Sequence, residues 1–382
     1  MRRSLSFLFA ALISLFGGLL ATSPARATPL TTGVPVFAYY YIWFDPTSWN
    51  RAKSDYPLLG RYSSDDRAVM QQHIRWAKQV GITGFIVSWK STPTLNRRLD
   101  QLAELAASED FHLAIMYQGL DFERRPLPVE RVAADLVAFC DRWGGRNVFN
   151  DLYGKPLIIW SGTWEFSERE VQLVRQQLGN CALLLASERN VAGYERLAHL
   201  VDGNAYYWSS VDPETYPRYE EKLREFSQAV HAHGGLWIAP AAPGFDARLI
   251  GGTRVVERRN GETLRRQLAA AFASSPDAIG LISWNEFSEN THIEPSVNHG
   301  DEALRTLASA LGTTPPVLPT LGSEALPPTG PSYGLPLLIF SSTLLVGSLA
   351  FLTYRLRQHA KPPADSARPL PRTLDHQLPG EP

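Results

Sequence analysis

Residues 278–296 read AIGLISWNEFSENTHIEPS. The first seven form an apolar run with the length of a buried strand. A burst of acids and amides follows: Glu286, Glu289 and Glu294 stand among Asn285, Ser288, Asn290, Thr291 and His292. Parallel α/β scaffolds carry their reactive groups in this way, at the C-terminal ends of buried strands. The rest of the chain must then supply more strands of the same kind.

Seven further apolar runs precede it: 36–43 (VFAYYYIW), 84–89 (GFIVSW), 112–118 (HLAIMYQ), 156–160 (PLIIW), 182–187 (ALLLAS), 204–208 (NAYYW) and 236–241 (LWIAPA). Helical periodicity follows each run, at about 65–79, 95–107, 129–143, 168–178, 194–198, 214–233 and 262–273, and at about 301–311 after the eighth. Ser63 or Ser64 is the candidate cap of the first helix. The runs are continuous rather than alternating, as in strands covered on both faces. Eight strand–helix pairs predict an α/β fold, a single (β/α)8 TIM barrel over residues 28–313. The alternative is an open doubly wound sheet. It would need more than six strands, and no Gly-rich phosphate loop follows the first run.

The two ends read differently. Arg2 and Arg3, an apolar core at 5–20 and Ala25-Arg26-Ala27 form a secretory signal peptide over 1–27. An uncleaved N-terminal helix is the other reading. A Pro-rich linker, 314–334, contains LPPTG at 326–330. Residues 335–354 are apolar and uncharged, about the ~20 residues of a transmembrane helix. Arg355, Arg357, His359 and Lys361 open the tail 355–382, which the positive-inside rule places in the cytoplasm. LPPTG is similar to a sortase signal, so the chain is either sortase-processed or keeps its membrane anchor. Both place the domain on the extracellular face of the cell.

Composition narrows the chemistry. Net charge is −1 with acids and bases interleaved, so nothing marks a nucleic-acid binder. Cys140 and Cys181, the two cysteines, either pair or stay free. No HExxH, CxxC or EF-hand spacing occurs, so no metal or cofactor is expected. A monomer is expected. Ten Trp and fourteen Tyr give both core and platforms for sugar faces.

In a barrel, site residues come from the run ends. These are Tyr40, Tyr41 and Trp43; Ser88, Trp89 and Lys90; Tyr117 and Gln118; Trp160; Ser187 and Glu188; Tyr207 and Trp208; Pro243, Phe245 and Asp246; and Asn285, Glu286 and Glu289. The set has no Cys–His pair, G-x-S-x-G elbow or cluster of phosphate-binding cations. Aromatic walls with converging carboxylates suit an oligo- or polysaccharide. Glycosidic cleavage needs two carboxyl groups, ~5–5.5 Å apart in retaining enzymes and ~6.5–9.5 Å in inverting ones. If Glu286 and Glu289 share a helical turn, their Cβ atoms lie ~5–6 Å apart, which favours retention. Two such charges also push one pKa up. Solvated loop acids are the competing reading.

The candidates for substrate binding are Tyr40, Trp43, Trp89, Lys90, Tyr117, Glu188, Tyr207, Trp208, Asp246, Asn285 and His292. Core packing competes for each aromatic, a salt bridge to a nearby Arg for Glu188, and a loop cap for Asp246. His292 reads as a hydrogen-bonding support and Glu294 as a structural acid.

Four stretches carry a resemblance. They are 38–44 (AYYYIWF), 61–90 (RYSSDDRAVMQQHIRWAKQVGITGFIVSWK), 239–250 (APAAPGFDARLI) and 283–296 (SWNEFSENTHIEPS). Together they resemble glycoside hydrolase family 99 and its 71/99-like relatives, whose founding activity is endo-α-mannosidase. The resemblance implies a retaining (β/α)8 enzyme with Glu286 and Glu289 as the catalytic pair. In the mannose-active members it implies that the first Glu takes the proton of the sugar 2-hydroxyl, giving a 1,2-anhydro sugar. The second protonates the leaving group and then acts as base. Phe287-Ser288, Asn290 and His292 depart from the family's Trp-His, Gly and Gln. The competing class is a non-catalytic glycan-binding surface protein or an accessory to envelope polysaccharide assembly.

Overall fold

The computed structural model describes residues 33–318. The signal peptide, LPPTG linker, transmembrane helix and tail expected from the sequence lie outside these residues. Among the described residues no helix is long and apolar enough to cross a membrane.

Eight parallel strands close a barrel: β1 (Val36–Tyr41), β2 (Gly84–Trp89), β3 (His112–Gln118), β4 (Leu157–Ser161), β5 (Leu183–Ala186), β6 (Gly203–Ala205), β7 (Leu236–Ala241) and β10 (Ala278–Leu281). Closure comes from β1 against β10, with Val36 opposite Ile279 and Ala38 opposite Leu281. A two-stranded antiparallel ribbon, β8 (Phe245–Asp246) with β9 (Val255–Val256), stands between β7 and its helix. The helices are α1 (Arg67–Gln79), α2 (Pro93–Ser108), α3 (Val129–Trp143), α4 (Asn147–Asn150), α5 (Glu168–Leu178), α6 (Val191–Leu197), α7 (Tyr219–Ala232), α8 (Glu262–Ala273) and α9 (Glu302–Leu311). The eightfold strand–helix alternation is the one expected from the sequence.

Two apolar layers explain the continuous runs. Val36, Ala38 and Tyr40 of β1 point outward and pack with Ile74, Leu99 and other helix residues. Phe37, Tyr39 and Tyr41 point inward and fill the barrel with Ile86, Met116, Ile159, Leu185 and Ile238. Alternate residues thus face different apolar surroundings, so both parities must be hydrophobic. Gly84 belongs to the inner set. A Cβ there would lie 2.7 Å from the Phe37 ring and 2.5 Å from the His112 carbonyl oxygen, so glycine makes room for Phe37.

Details differ from the sequence reading. Asp66 caps α1, accepting from the amides of Ala68 and Val69, whereas Ser64 accepts from the Phe44 amide. Helix α7 starts at Tyr219, not near 214, because Pro217 disfavours helical geometry at the residue before it. Cys140 on α3 and Cys181 before β5 are disulfide-bonded, with Cα atoms 6.2 Å apart. The bond ties neighbouring segments across a sequence separation of 41.

Candidate active site

Beyond β10 the chain makes a loop that returns on itself. The Ser283 amide donates to the Thr291 carbonyl (2.8 Å) and the Ile293 amide to the Ser283 carbonyl (2.9 Å). The Glu294 amide donates to the Trp284 carbonyl (2.8 Å), and the Trp284 amide to Tyr39 of β1 (2.7 Å). Residues 287–290 form a turn, with Asn290 at φ +54°. Glu286 and Glu289 flank and occupy that turn, over the open C-terminal end of the barrel.

Asn285 fixes where the turn starts. Its Oδ1 accepts from the Tyr41 amide (2.8 Å), and its Nδ2 donates to the Tyr41 carbonyl (3.0 Å) and the Tyr62 hydroxyl (3.2 Å). The side chain therefore continues the β1–β10 ladder past the point where the backbone leaves it. Below lies a buried polar chain. Tyr62 donates to Glu294 Oε2 (2.8 Å), and Tyr40 Oη meets His73 Nδ1 (3.0 Å). His73 Nε2 lies 3.0 Å from Glu294 Oε1. That contact is close but poorly directed, leaving both atoms without a well-aligned hydrogen bond.

The two acids are held unequally. Burial, and then the charge of Glu286, push Glu289 up to about 8, against the opposing pull of Arg124. Burial raises Glu286 too, but the Ser288 amide donates to its Oε1 (2.8 Å), the Ser288 hydroxyl also stabilises its anion, and Lys53 favours it electrostatically. Of the two carboxyls, Glu286 has hydrogen-bond donors that stabilise its anion, and Glu289 has a neighbouring negative charge.

Tyr41 and Tyr207 face this pair from the barrel interior, their hydroxyls 2.8 Å apart. Burial raises both well above 10, and the charges of Glu289 and Glu286 add to the shift. Trp43 stands at the rim, 42 % exposed, its ring 4.3 Å from that of Tyr41 at a 32° tilt. It is an open aromatic face packed on Tyr41, whose hydroxyl end is turned to the acids. The Asp246 amide donates to the Glu289 carbonyl (2.7 Å), while its carboxylate is taken by Arg248. Asp246 thus anchors the turn through its backbone.

Several residues expected to bind substrate point elsewhere. Tyr40, Trp89, Tyr117 and Trp208 have the outward parity and lie between sheet and helices. Trp89 donates to Asn96 (2.9 Å), Tyr117 donates to Asp135 (2.9 Å), and Trp208 stacks on Tyr219 (4.9 Å, 13°). Asn285 spends its amide on the ladder. His292 lies behind the turn, its ring 4.3 Å from that of Phe287, and burial followed by the charge of Arg258 pushes it down to about 3. Lys90 donates to the Leu120 carbonyl (2.6 Å), and buried Glu188 lies 3.4 Å from Arg196. The outcome for these residues is packing or support, which the sequence reading weighed as the competing role for the aromatics, Glu188 and His292. Glu286, Glu289, Tyr207 and Trp43 are brought together. Tyr41, named among the run ends but not among the substrate-binding candidates, joins them, and Lys53 and Arg124, which the sequence did not single out, act on the two acids through their charge.

A separate depression of about 380 Å3 opens at the opposite end of the barrel, lined by Pro35, Val36, Thr83, Leu152, Phe272 and Leu311 among others. It has no acid or base and is unrelated to the carboxylate pair.

Among solved structures, the chain is similar to the GH99 endo-alpha-mannosidase from Bacteroides thetaiotaomicron, at 19 % identity and TM-score 0.64, over 72 % of this chain and 96 % of that one. It is also similar to a glycoside hydrolase-like protein, at 18 % identity and TM-score 0.60, over 76 % of this chain and 97 % of that one. At such identities these likenesses speak to the fold. The sequence pattern of glycosyl hydrolase family 99 matches residues 46–309, from the loop after β1 through most of α9. That match covers well over half of the chain, which therefore belongs to glycosyl hydrolase family 99 and is a glycoside hydrolase.

Proposed function

We propose that the protein is a retaining hydrolase of α-linked mannosyl glycans, with Glu286 and Glu289 as its catalytic pair. The observation that carries this reading is the unequal holding of two carboxyls on one turn. Glu289 keeps its proton near neutrality, while Glu286 is supplied with donors for its anion. One acid and one base side by side is what glycosidic cleavage requires. The α-mannosyl class is supported by family membership and by the named activity of the structural relative.

In the first step Glu286 takes the proton of the sugar 2-hydroxyl. The freed oxygen attacks the anomeric carbon, the glycosidic bond breaks, and Glu289 protonates the departing oxygen. In the second step Glu289, now ionised, takes a proton from water. The water oxygen opens the 1,2-anhydro ring at the anomeric carbon, and Glu286 returns its proton to O2. Two inversions at one carbon give net retention. Trp43 is the platform for one sugar face.

The cell-surface placement is part of the proposal. It rests on the signal-like N-terminus, on residues 335–354 and on the basic tail. The Cys140–Cys181 bond suits an oxidising compartment. Protease shaving of intact cells, with immunodetection of the barrel and the tail, tests it.

The test of activity is a panel of α-mannans and α-glucans, with product anomers followed by NMR from the first turnover. Cleavage of an α-mannan giving the α-anomer first, lost in Glu286→Gln and Glu289→Gln, is the expected result. Cleavage unchanged in both variants would remove the catalytic assignment. A β-anomer formed first would show inversion. Binding without cleavage of any glycan would favour a binding protein.

A further inference from the structure

We infer that Asp55, His292 and His299 form a binding site for a transition-metal ion of the zinc class, behind the catalytic turn. The site does not depend on the reading of the substrate.

One ligating atom from each of the three residues falls within 4.8 Å of the other two. Asp55 Oδ2 and His292 Nε2 are 3.4 Å apart. Ligands on a tetrahedral ion with bonds of ~2.0–2.2 Å lie roughly 3.3–3.5 Å from one another. The Asp55–His292 pair therefore already has the required spacing. The half-buried His299 must close by at most about 1.4 Å, the difference between 4.8 Å and a tetrahedral edge of ~3.4 Å, and it sits on the short loop before α9. Ser296 Oγ, 3.1 Å from His292 Nε2, borders the same space.

The chemistry of the donors selects the ion. Two imidazoles and one carboxylate suit zinc, nickel or copper, whereas magnesium and calcium take all-oxygen sets. Asp55 and His292 are each 1 % exposed, so the site excludes most water. Asp55 is pre-oriented, with Oδ1 accepting from the amides of Tyr56 (2.8 Å) and Asn298 (3.0 Å). Nδ1 of His292 is buried and has no hydrogen-bond partner among the described residues. When Nε2 binds the ion, its proton passes to this buried Nδ1, which has no acceptor there, and that cost offsets part of the binding energy. Arg258 opposes the ion. Its guanidinium donates to the carbonyls of His292 (2.6 Å) and Asn290 (3.2 Å), so a positive charge stands close by. Affinity should accordingly fall below that of an all-thiolate structural zinc site.

Location gives the site its consequence. The His292 ring stacks 4.3 Å from Phe287, the residue between Glu286 and Ser288. An ion on His292 would pin that ring, and with it the turn that carries both acids. It would act by position and touch no reacting atom.

The experiment uses the full chain without a polyhistidine tag, stripped with chelator and dialysed against zinc, cobalt(II) or magnesium. Metal content is read by mass spectrometry, cobalt geometry by its visible absorption, and stability by thermal melting. The expected result is one zinc or cobalt ion per chain, a tetrahedral cobalt band, a melting point raised by zinc and cobalt, and no effect of magnesium. His299→Gln, at the half-buried ligand, should keep the fold by circular dichroism. It should weaken zinc binding by more than the ~10–100-fold that losing an outer partner costs. A stripped wild-type chain that takes up no zinc and whose melting point does not move overturns the site. So does zinc binding unchanged in both His299→Gln and Asp55→Asn, which would place any bound ion elsewhere.

Discussion

Glu289→Gln should abolish proton donation to the leaving group while leaving the barrel intact. The usual value for a glutamate is 4.5, whereas Glu289 is pushed up to about 8 by burial and by Glu286. At pH 7 an ordinary glutamate is protonated in roughly 0.3 % of molecules, and one at about 8 in roughly 90 %. The site thus raises the population of the acid form by about 300-fold. A positioned general acid contributes about 10²–10⁴ in rate, and glutamine keeps the shape but has no acidic proton. We expect kcat/KM on a natural glycan to fall by about 10²–10⁴. An aryl glycoside with an acidic phenol leaves without help, so its cleavage should fall far less. The wild-type pH profile should lose activity as pH rises through about 8. With the aryl substrate the variant should lack that limb.

Stability gives an independent readout. The folded-state value is raised, so the bound proton's contribution is fully present below 4.5 and is lost as pH rises through about 8. Wild type should therefore weaken between about pH 5 and 9 relative to Glu289→Gln, in urea titrations at each pH. An equal loss of kcat/KM, which reports the first step alone, on both leaving groups, or an alkaline limb near that of an ordinary glutamate, would refute the assignment of Glu289 as the acid.

Three further outcomes follow from the same structure. Glu294→Gln replaces the carboxylate that accepts from Tyr62 (2.8 Å) and lies 3.0 Å from His73, in a site of 0 % side-chain exposure, and should cost about 2–4 kcal/mol in urea unfolding. A loss under about 0.5 kcal/mol would mean that the chain below Asn285 carries no load. Removing the disulfide with Cys140→Ser and Cys181→Ser opens a sequence separation of 41 and should cost about 4 kcal/mol on loop-entropy grounds, read as a lower melting midpoint; an unchanged midpoint would count against that account. Trp43→Ala should raise KM by about tenfold, equivalent to ~1.4 kcal/mol, with little change in kcat or melting, since the residue is 42 % exposed and packs against Tyr41 and Phe44 at the rim. A fall in kcat with KM unchanged would show that Trp43 does not bind the ground-state sugar.

The barrel was legible because its strands are buried on both faces. Eight continuous apolar runs, each followed by a helical period, leave little choice of architecture. The acid-rich loop at 283–296 was legible for the same reason, as it follows the last run directly. Local order thus settled which segments are strands and where the carboxylates emerge. It could not settle which way each strand residue points. In YYY at 39–41 all three rings are apolar enough for either side, so hydrophobicity does not alternate and the period of two is invisible. Barrel closure sends Tyr40 outward to His73 and brings Tyr41 inward to Tyr207 and the acids. For the same reason the sequence leaves Trp89, Tyr117 and Trp208 open between platform and core, and the closed barrel puts them in the core. Asn285 looked like a substrate contact because its ladder partner, Tyr41, lies 244 positions away. The pairing of Cys140 with Cys181 and the meeting of Asp55 with His292 and His299 are likewise products of long-range packing. Spacing along a chain reports neighbours within a turn or a strand, whereas side chains from distant loops meet only after the barrel has closed and set its register.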